Sequence, residues 1–186
     1  MLHQVYKLDI ISLQHSINVG ILAQKFSKYL NSKLLFNINE RLARLCGELH
    51  DIGKIKVNQN ILNKESKLTD EEFSHIKKHP EFGVEHMQSL GFSLPEEVLN
   101  CILYHHKGYT NNGYPSVNSD IPDHILKYVD IISICDIYDA LLQKRSYKEG
   151  FSVEKSLDIM DTADINPYLY QHFKDFIKKD YKRVLH

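Results

Sequence analysis

Apolar residues recur at helical spacing along nearly the whole chain, and strand-like alternation is rare. Ile10, Leu13, Ile17, Ile21, Phe26 and Leu30 predict a first long helix. Leu42, Ala43, Leu45 and Cys46 predict a second over 39–49, capped by Asn37 or Asn39 and released at Gly53. A polar connector with a short apolar turn at Ile61–Leu62 follows. Thr69 and Glu72 then stand at capping-box spacing and open a third helix. Pro80 sets a boundary just after His79 and starts a helix to Leu90, and Pro95 opens EEVLNCILYHH. The stretch KGYTNNGYPSVNSD is rich in turn residues and reads as a loop. The most apolar helix spans Ile125–Leu142, a short one spans Val153–Met160, and Pro167 begins the last. This predicts an all-α fold, a helical bundle forming one domain over 1–186. Its motif-bearing core is about 10–150, with a C-terminal helical extension over 151–186.

A chain of 186 residues with 42% hydrophobic content can bury a sizeable core. A net charge of -1 provides no bulk basic surface for long nucleic acid, but leaves room for a local site that holds a small phosphate ligand. No apolar run reaches transmembrane length and the first residues do not read as a signal peptide, so no membrane partner and a cytoplasmic location are expected. Cys46, Cys101 and Cys135 are odd in number, far apart and set in apolar stretches, which fits reduced core thiols. Tyr168, Tyr170, Phe173 and Phe176 read as helix packing.

The candidate chemistry lies in His15, the pair His50–Asp51, His79, the pair His105–His106, and Asp136. Each sits in or beside an apolar helical pattern, where a histidine or aspartate is costly to bury without a partner. Shared metal ions supply such partners. At a helix end, His50 can reach one ion while the Asp51 carboxylate bridges two. Mixed imidazole and carboxylate donors suit Mn, Fe, Zn or Ni better than Ca or Mg. Two nearby ions would activate a bridging hydroxide and steady charge on a phosphoryl group. Asp139 is read either as orienting a ligand histidine or as an ordinary hydrogen-bond acceptor.

HDIGKI, ILNKESKLTDEEFSHIKKHPEFG, HHKGYTNNGYP and ICDIYDALLQKRSYKEG resemble the HD-GYP subgroup of the HD-domain phosphohydrolases, from about His15 to about Gly150. The resemblance implies a helical bundle with a buried metal site of two divalent ions, Fe or Mn foremost and Ni or Zn as alternatives. It implies hydrolysis of a cyclic dinucleotide, cyclic di-GMP above all. His15, His50, His79, His105, His106 and Asp136 would be ligands and Asp51 the bridge. Lys54 would face the scissile phosphate and stabilise charge in the transition state. Tyr114, Arg145 and Tyr147 match positions associated with the loop and with phosphate binding. A homodimer is compatible with the pattern, though nothing in it demonstrates one.

Several positions depart from the family's pattern. Lys107 stands where a glutamate is usual, Thr110 where an aspartate is usual, and Asn111 where a glycine is usual. Ile11 occupies the place of the glutamate carried by members with a third metal, so two metals are predicted. The altered loop keeps two further readings open: a hydrolase of another nucleotide or small phosphate ester, and a weakly active cyclic-dinucleotide-binding signalling protein.

Overall fold

The Asp9 side chain accepts hydrogen bonds from the backbone N–H groups of Ile11 and Ser12, both at 3.0 Å, and starts helix α1, Ile10–Ser32. A computed structural model describes residues 9–33, 36–91, 93–116, 120–143 and 150–181. The helices that follow are α2 (Glu40–Leu49), α3 (Gln59–Leu62), α4 (Asp70–Ile76), α5 (His79–Ser89) and α6 (Glu96–Tyr104). The chain closes with α7 (Asp123–Leu142), α8 (Val153–Met160) and α9 (Pro167–Phe176), which runs into a wider helical turn over Ile177–Tyr181. A 3₁₀ turn, Ile52–Lys56, leads out of α2. No strand occurs among the described residues, so the fold is all-α.

Most helix starts follow from their capping residues. Asn39 caps α2, Thr69 and Glu72 form the reciprocal capping box of α4, and Ser152 and Asn166 cap α8 and α9. Pro122 fixes the start of α7, which takes in Asp123 and His124 ahead of the predicted Ile125. α5 begins at His79 itself, with Pro80 in its first turn.

Two expectations are corrected. The buried stripe of α1 runs through His15, Val19, Leu22, Phe26 and Leu30, and Ile10 is 84% exposed. Small and polar residues on that face (Ser16, Gly20, Ser27) blur the hydrophobic signal, and its histidine serves a different purpose from packing. Gly53 does not release α2, which ends before the 3₁₀ turn. Its role is close approach: a Cβ at Gly53 would strike the carbonyl oxygen of His79 and the backbone N of Gly83.

α7 is buried on nearly every side and forms the centre of the core. α1 and α2 cross closely where Gly20 meets Gly47, since a Cβ on Gly47 would lie 2.7 Å from the Gly20 Cα. That crossing sets the distance between His15 and His50. At the far end Phe26, Tyr138, Phe173 and Phe176 pack edge to face and tilted, with Phe26 and Phe173 centred 5.1 Å apart. Tyr170 and the two phenylalanines of α9 are buried, as expected, but Tyr168 is 55% exposed against Phe36 and His172. The three cysteines are free and buried. No described helix is long and apolar enough to cross a membrane.

Candidate metal centre

His15 of α1, His50 and Asp51 at the exit of α2, His79 at the start of α5, His105 and His106 beyond α6, and Asp136 of α7 converge on one point. All are buried except the half-buried His106. Adjacent residues on a helix face different ways, but α2 unwinds after Leu49, so both His50 and Asp51 turn inward.

Asp51 divides the cluster. Its Oδ1 lies 3.2 Å from His79 Nε2 and 3.8 Å from His105 Nε2. Its Oδ2 lies 3.4 Å from His50 Nε2 and 3.8 Å from His15 Nε2. Asp136 closes the second half, with Oδ1 2.8 Å from His15 Nε2 and 3.7 Å from His50 Nε2.

The backbone fixes which ring nitrogen faces inward. Carbonyl oxygens only accept, so Nδ1 of His50 donates to Gly47 O at 2.7 Å and Nδ1 of His79 donates to Ile76 O at 2.9 Å. Nδ1 of His105 donates to Cys101 O at 2.9 Å. Each ring thereby presents its Nε2 toward Asp51. His79 Nε2 and His105 Nε2 are 3.1 Å apart, where two lone pairs repel unless a cation lies between them. His50 Nε2 and Asp51 Oδ1 are buried and make no hydrogen bond. Buried ring nitrogens and carboxylate oxygens that lack hydrogen-bond partners and converge on one point are the arrangement that divalent ions satisfy. The donor set therefore fits a pair of ions, one on each side of Asp51.

The two halves differ electrostatically. Burial opposes charge on His50, yet Asp51 and Asp136 outweigh it and push its pKa up to about 10. Burial also opposes charge on His15, but Asp136 and Asp139 raise it. Against the same burial, Lys54 and His50 hold the Asp51 carboxyl well below the usual carboxylate range. His15 and His50 do the same for Asp136. On the other side, burial and the neighbouring imidazoles keep His105 neutral, and burial pushes His106 down to about 4. A raised His50 pKa means that a proton occupies that position below about pH 10 when no metal does, so metal binding must displace it. Affinity then rises with pH, by about tenfold per unit for each proton displaced. Manganese titrations should show binding about 100-fold weaker at pH 6 than at pH 8 for one proton; a pH-independent affinity would contradict this electrostatic account.

Asp139, whose role sequence spacing alone left open, meets His15. Its Oδ2 accepts the Nδ1–H of His15 at 2.7 Å, which turns Nε2 toward Asp51 and Asp136. Asp139→Asn should weaken metal affinity by about 10–100-fold while the fold survives. Chelator competition followed by circular dichroism measures both, and unchanged affinity would remove Asp139 from the centre. Ser133 was not anticipated: its hydroxyl donates to His105 O at 2.7 Å.

Lys54 stands at the rim with its ammonium 2.5 Å from Asp51 Oδ2. Tyr114 covers another edge, its ring centred 4.8 Å from that of His106. The loop carrying Tyr114 folds back on the ligand pair: Tyr114 N–H donates to His106 O at 2.9 Å and Gly113 N–H donates to Lys107 O at 2.8 Å. The replaced residues hold this loop. Lys107 is buried and donates to Gly108 O at 3.0 Å, and its charge acts on buried Asp130. Thr110 Oγ1 donates to Asp164 Oδ2 at 2.8 Å, an anchor in the turn between α8 and α9 that no sequence motif announced. Arg145 and Tyr147 lie outside the described residues.

The HD-domain family model matches residues 12–141, a span that contains every residue of the cluster. The chain belongs to the HD-domain family. This HD domain is 34% identical over 139 residues to a cyclic di-GMP phosphodiesterase, PA4108, of Pseudomonas aeruginosa, covering 74% of this chain and 32% of the relative. It is 34% identical over 131 residues to the 3'3'-cGAMP-specific phosphodiesterase 2 of Vibrio cholerae, covering 62% of this chain and 24% of the relative. The matches thus span about a third or less of these relatives' lengths. Among solved structures, Bd1817, a HDG"Y"P protein of Bdellovibrio bacteriovorus, superposes with a TM-score of 0.66 at 21% identity, over 89% of this chain and 52% of that one. The last likeness establishes the fold.

Proposed function

We propose that this HD domain is a metal-dependent phosphodiesterase that hydrolyses a cyclic dinucleotide, cyclic di-GMP foremost. The observation that carries the reading is Asp51, whose two oxygens face two separate sets of inward-turned imidazoles. The similarity to phosphodiesterases of cyclic di-GMP and of 3'3'-cGAMP supports the substrate class. His15, His50 and Asp136 would hold one ion, His79, His105 and His106 the other, and Asp51 both, with iron or manganese suited to these donors. When bound, the ions would supply Lewis acidity toward the phosphodiester and the attacking water. Asp51 and Asp136 remain ionised across the working pH range because their carboxyls are held low. Lys54 leans on Asp51 at the exposed rim, where its ammonium would balance the negative charge that grows on a phosphoryl group. Tyr114 packs on His106 and limits water access from its side.

Protein reconstituted without oxygen with manganese or iron is expected to convert cyclic di-GMP to a linear dinucleotide or to GMP, resolved by chromatography. Absence of turnover with both ion positions filled would overturn the reading. The altered loop supports a second one, binding without efficient hydrolysis, which tight cyclic di-GMP binding with no turnover would favour. Preference for other phosphate esters in a substrate screen would instead favour the more general hydrolase.

A further inference from the structure

Among the imidazoles of the centre, His106 is held differently from the rest. A backbone carbonyl orients each of His50, His79 and His105, and Asp139 orients His15. No hydrogen bond reaches either ring nitrogen of His106 among the described residues, and its ring rests instead against Tyr114. Both residues bound one loop, over 107–113. Its neck is closed by Tyr114 N–H to His106 O and by Gly113 N–H to Lys107 O. Past the neck the core gives the loop little support. Tyr109, Thr110, Asn111 and Asn112 are exposed. A cavity of about 280 Å³, lined by His106, Gly108 and Gly113 and by Ser133 and Ile137 of α7, lies between loop and helix.

The tip of the loop is held by the turn between α8 and α9. Asp164 Oδ1 accepts the Thr110 N–H at 3.0 Å, and Asp164 Oδ2 accepts the Thr110 hydroxyl at 2.8 Å. The Asp164 carbonyl accepts the Tyr109 N–H at 2.9 Å. Thr110 extends the hold, since its Oγ1 accepts from the Asn112 amide at 2.8 Å. Gly108 permits the approach, because a Cβ there would strike Asp164 Oδ2. The turn is itself rooted in the core: Ile165 is buried, and Asn166 donates to the buried Asp130 of α7 at 2.7 Å. A carboxylate on a rooted turn, facing two donors of a loop with little other support, is a clamp. It stands outside residues 12–141, the span of the HD-domain match.

We infer that Asp164 is a positioning residue of the metal centre, which through Thr110 fixes the loop and through the loop sets His106 and Tyr114. The inference rests on the reading of the centre as a site for two ions, and not on the substrate. It also gives the threonine at 110 a purpose. An aspartate there, the usual residue in the pattern this loop departs from, would face Asp164 with like charge and open the clamp. Loss of the clamp should be felt by the ion assigned to His79, His105 and His106. The ion assigned to His15, His50 and Asp136, none of which lies on the loop, should be spared.

Hydrogen exchange by mass spectrometry, on the full chain at saturating manganese, reads the loop without any turnover. In Asp164→Ala and in Thr110→Asp, exchange over 107–114 should rise by about tenfold, the size expected of a hydrogen bond to a charged group. In the double variant Thr110→Asp/Asp164→Asn, the new amide can donate to the new carboxylate, and exchange should return to within about twofold of the parent. Manganese titration of the same proteins reads the centre. One binding step should weaken by about tenfold in Asp164→Ala and in Thr110→Asp, the other should hold within about twofold, and the double variant should recover. Circular dichroism should show the same helix content throughout. Unchanged loop exchange in Asp164→Ala would overturn the clamp. Faster exchange with both manganese steps unchanged, or both steps weakened alike, would overturn the positioning role, as would failure of the double variant to recover. A parent chain that binds no manganese would instead remove the metal-centre reading itself, and the positioning role with it.

Discussion

Asp51→Ala should empty both metal positions and lower phosphodiester turnover by about 10³-fold, the order lost when a principal charge-stabilising group leaves an active site. The argument rests on the division of this one carboxylate between two sets of imidazoles. Without it, His79 and His105 on one side and His15 and His50 on the other lose their common anion. Asp136 faces the His15 and His50 side most closely, so it cannot restore the other. The variant should still fold, because α1, α2 and α7 pack through Val19, Ala43, Ile132 and their neighbours rather than through the centre. Lys54, already at the rim, can turn its ammonium to solvent. Asp51→Asn keeps the size and one neutral oxygen, and should retain some metal at reduced affinity. Elemental analysis beside the turnover assay checks the pair, and full metal content in Asp51→Ala would remove the bridging role.

The second large effect is expected from a residue that carries no side chain. Gly53→Ala places a methyl group against the His79 carbonyl and the Gly83 nitrogen, both backbone atoms. Neither yields without moving the first turn of α5, which carries His79. Overpacking of this kind should cost about 3 kcal/mol. For a chain of this size that corresponds to a fall in Tm of about 6–12 °C. Metal affinity should fall with it, because the displaced turn separates His79 from Asp51. Gly91→Ala provides a contrast: φ there is 70° and nothing lies within 4 Å of the added methyl, so only the left-handed backbone penalty of about 1–2 kcal/mol applies. Thermal denaturation of both variants decides the matter, and equal losses would refute the packing argument for Gly53.

Capping chemistry and proline made most of the helix order legible before any coordinates. Thr69 with Glu72, Asn39, Pro80 and Pro167 act locally, within a turn of the residues they organise, so sequence alone exposes them. The residues brought together at the centre were legible for a related reason: histidines and aspartates in apolar surroundings need partners. What remained hidden depends on distance between elements. The buried face of α1 was misplaced because its small residues answer to the crossing with α2 rather than to hydrophobicity. Gly53 looked like a helix terminator, and its packing against α5 becomes visible only when two backbones meet. The orientation of His15 by Asp139 spans 124 residues, and Asp164 holds Thr110 across 54. Neither separation leaves a periodic trace.

Lys107 illustrates the same limit. It replaces an acidic residue beside a ligand pair, and the sequence alone does not show what its charge meets. In the fold its ammonium bonds inside its own loop, to Gly108 O and, at 3.4 Å, to Asn111 Oδ1. The substitution thus bears on how the Tyr114 loop is held.

Anomalous diffraction from a crystal of the full chain loaded with manganese would test the central claim most directly. Two peaks are predicted, one bounded by His15, His50 and Asp136 and the other by His79, His105 and His106, with Asp51 reaching both. A single peak, a third peak, or peaks that leave Asp51 on one side only would contradict the account.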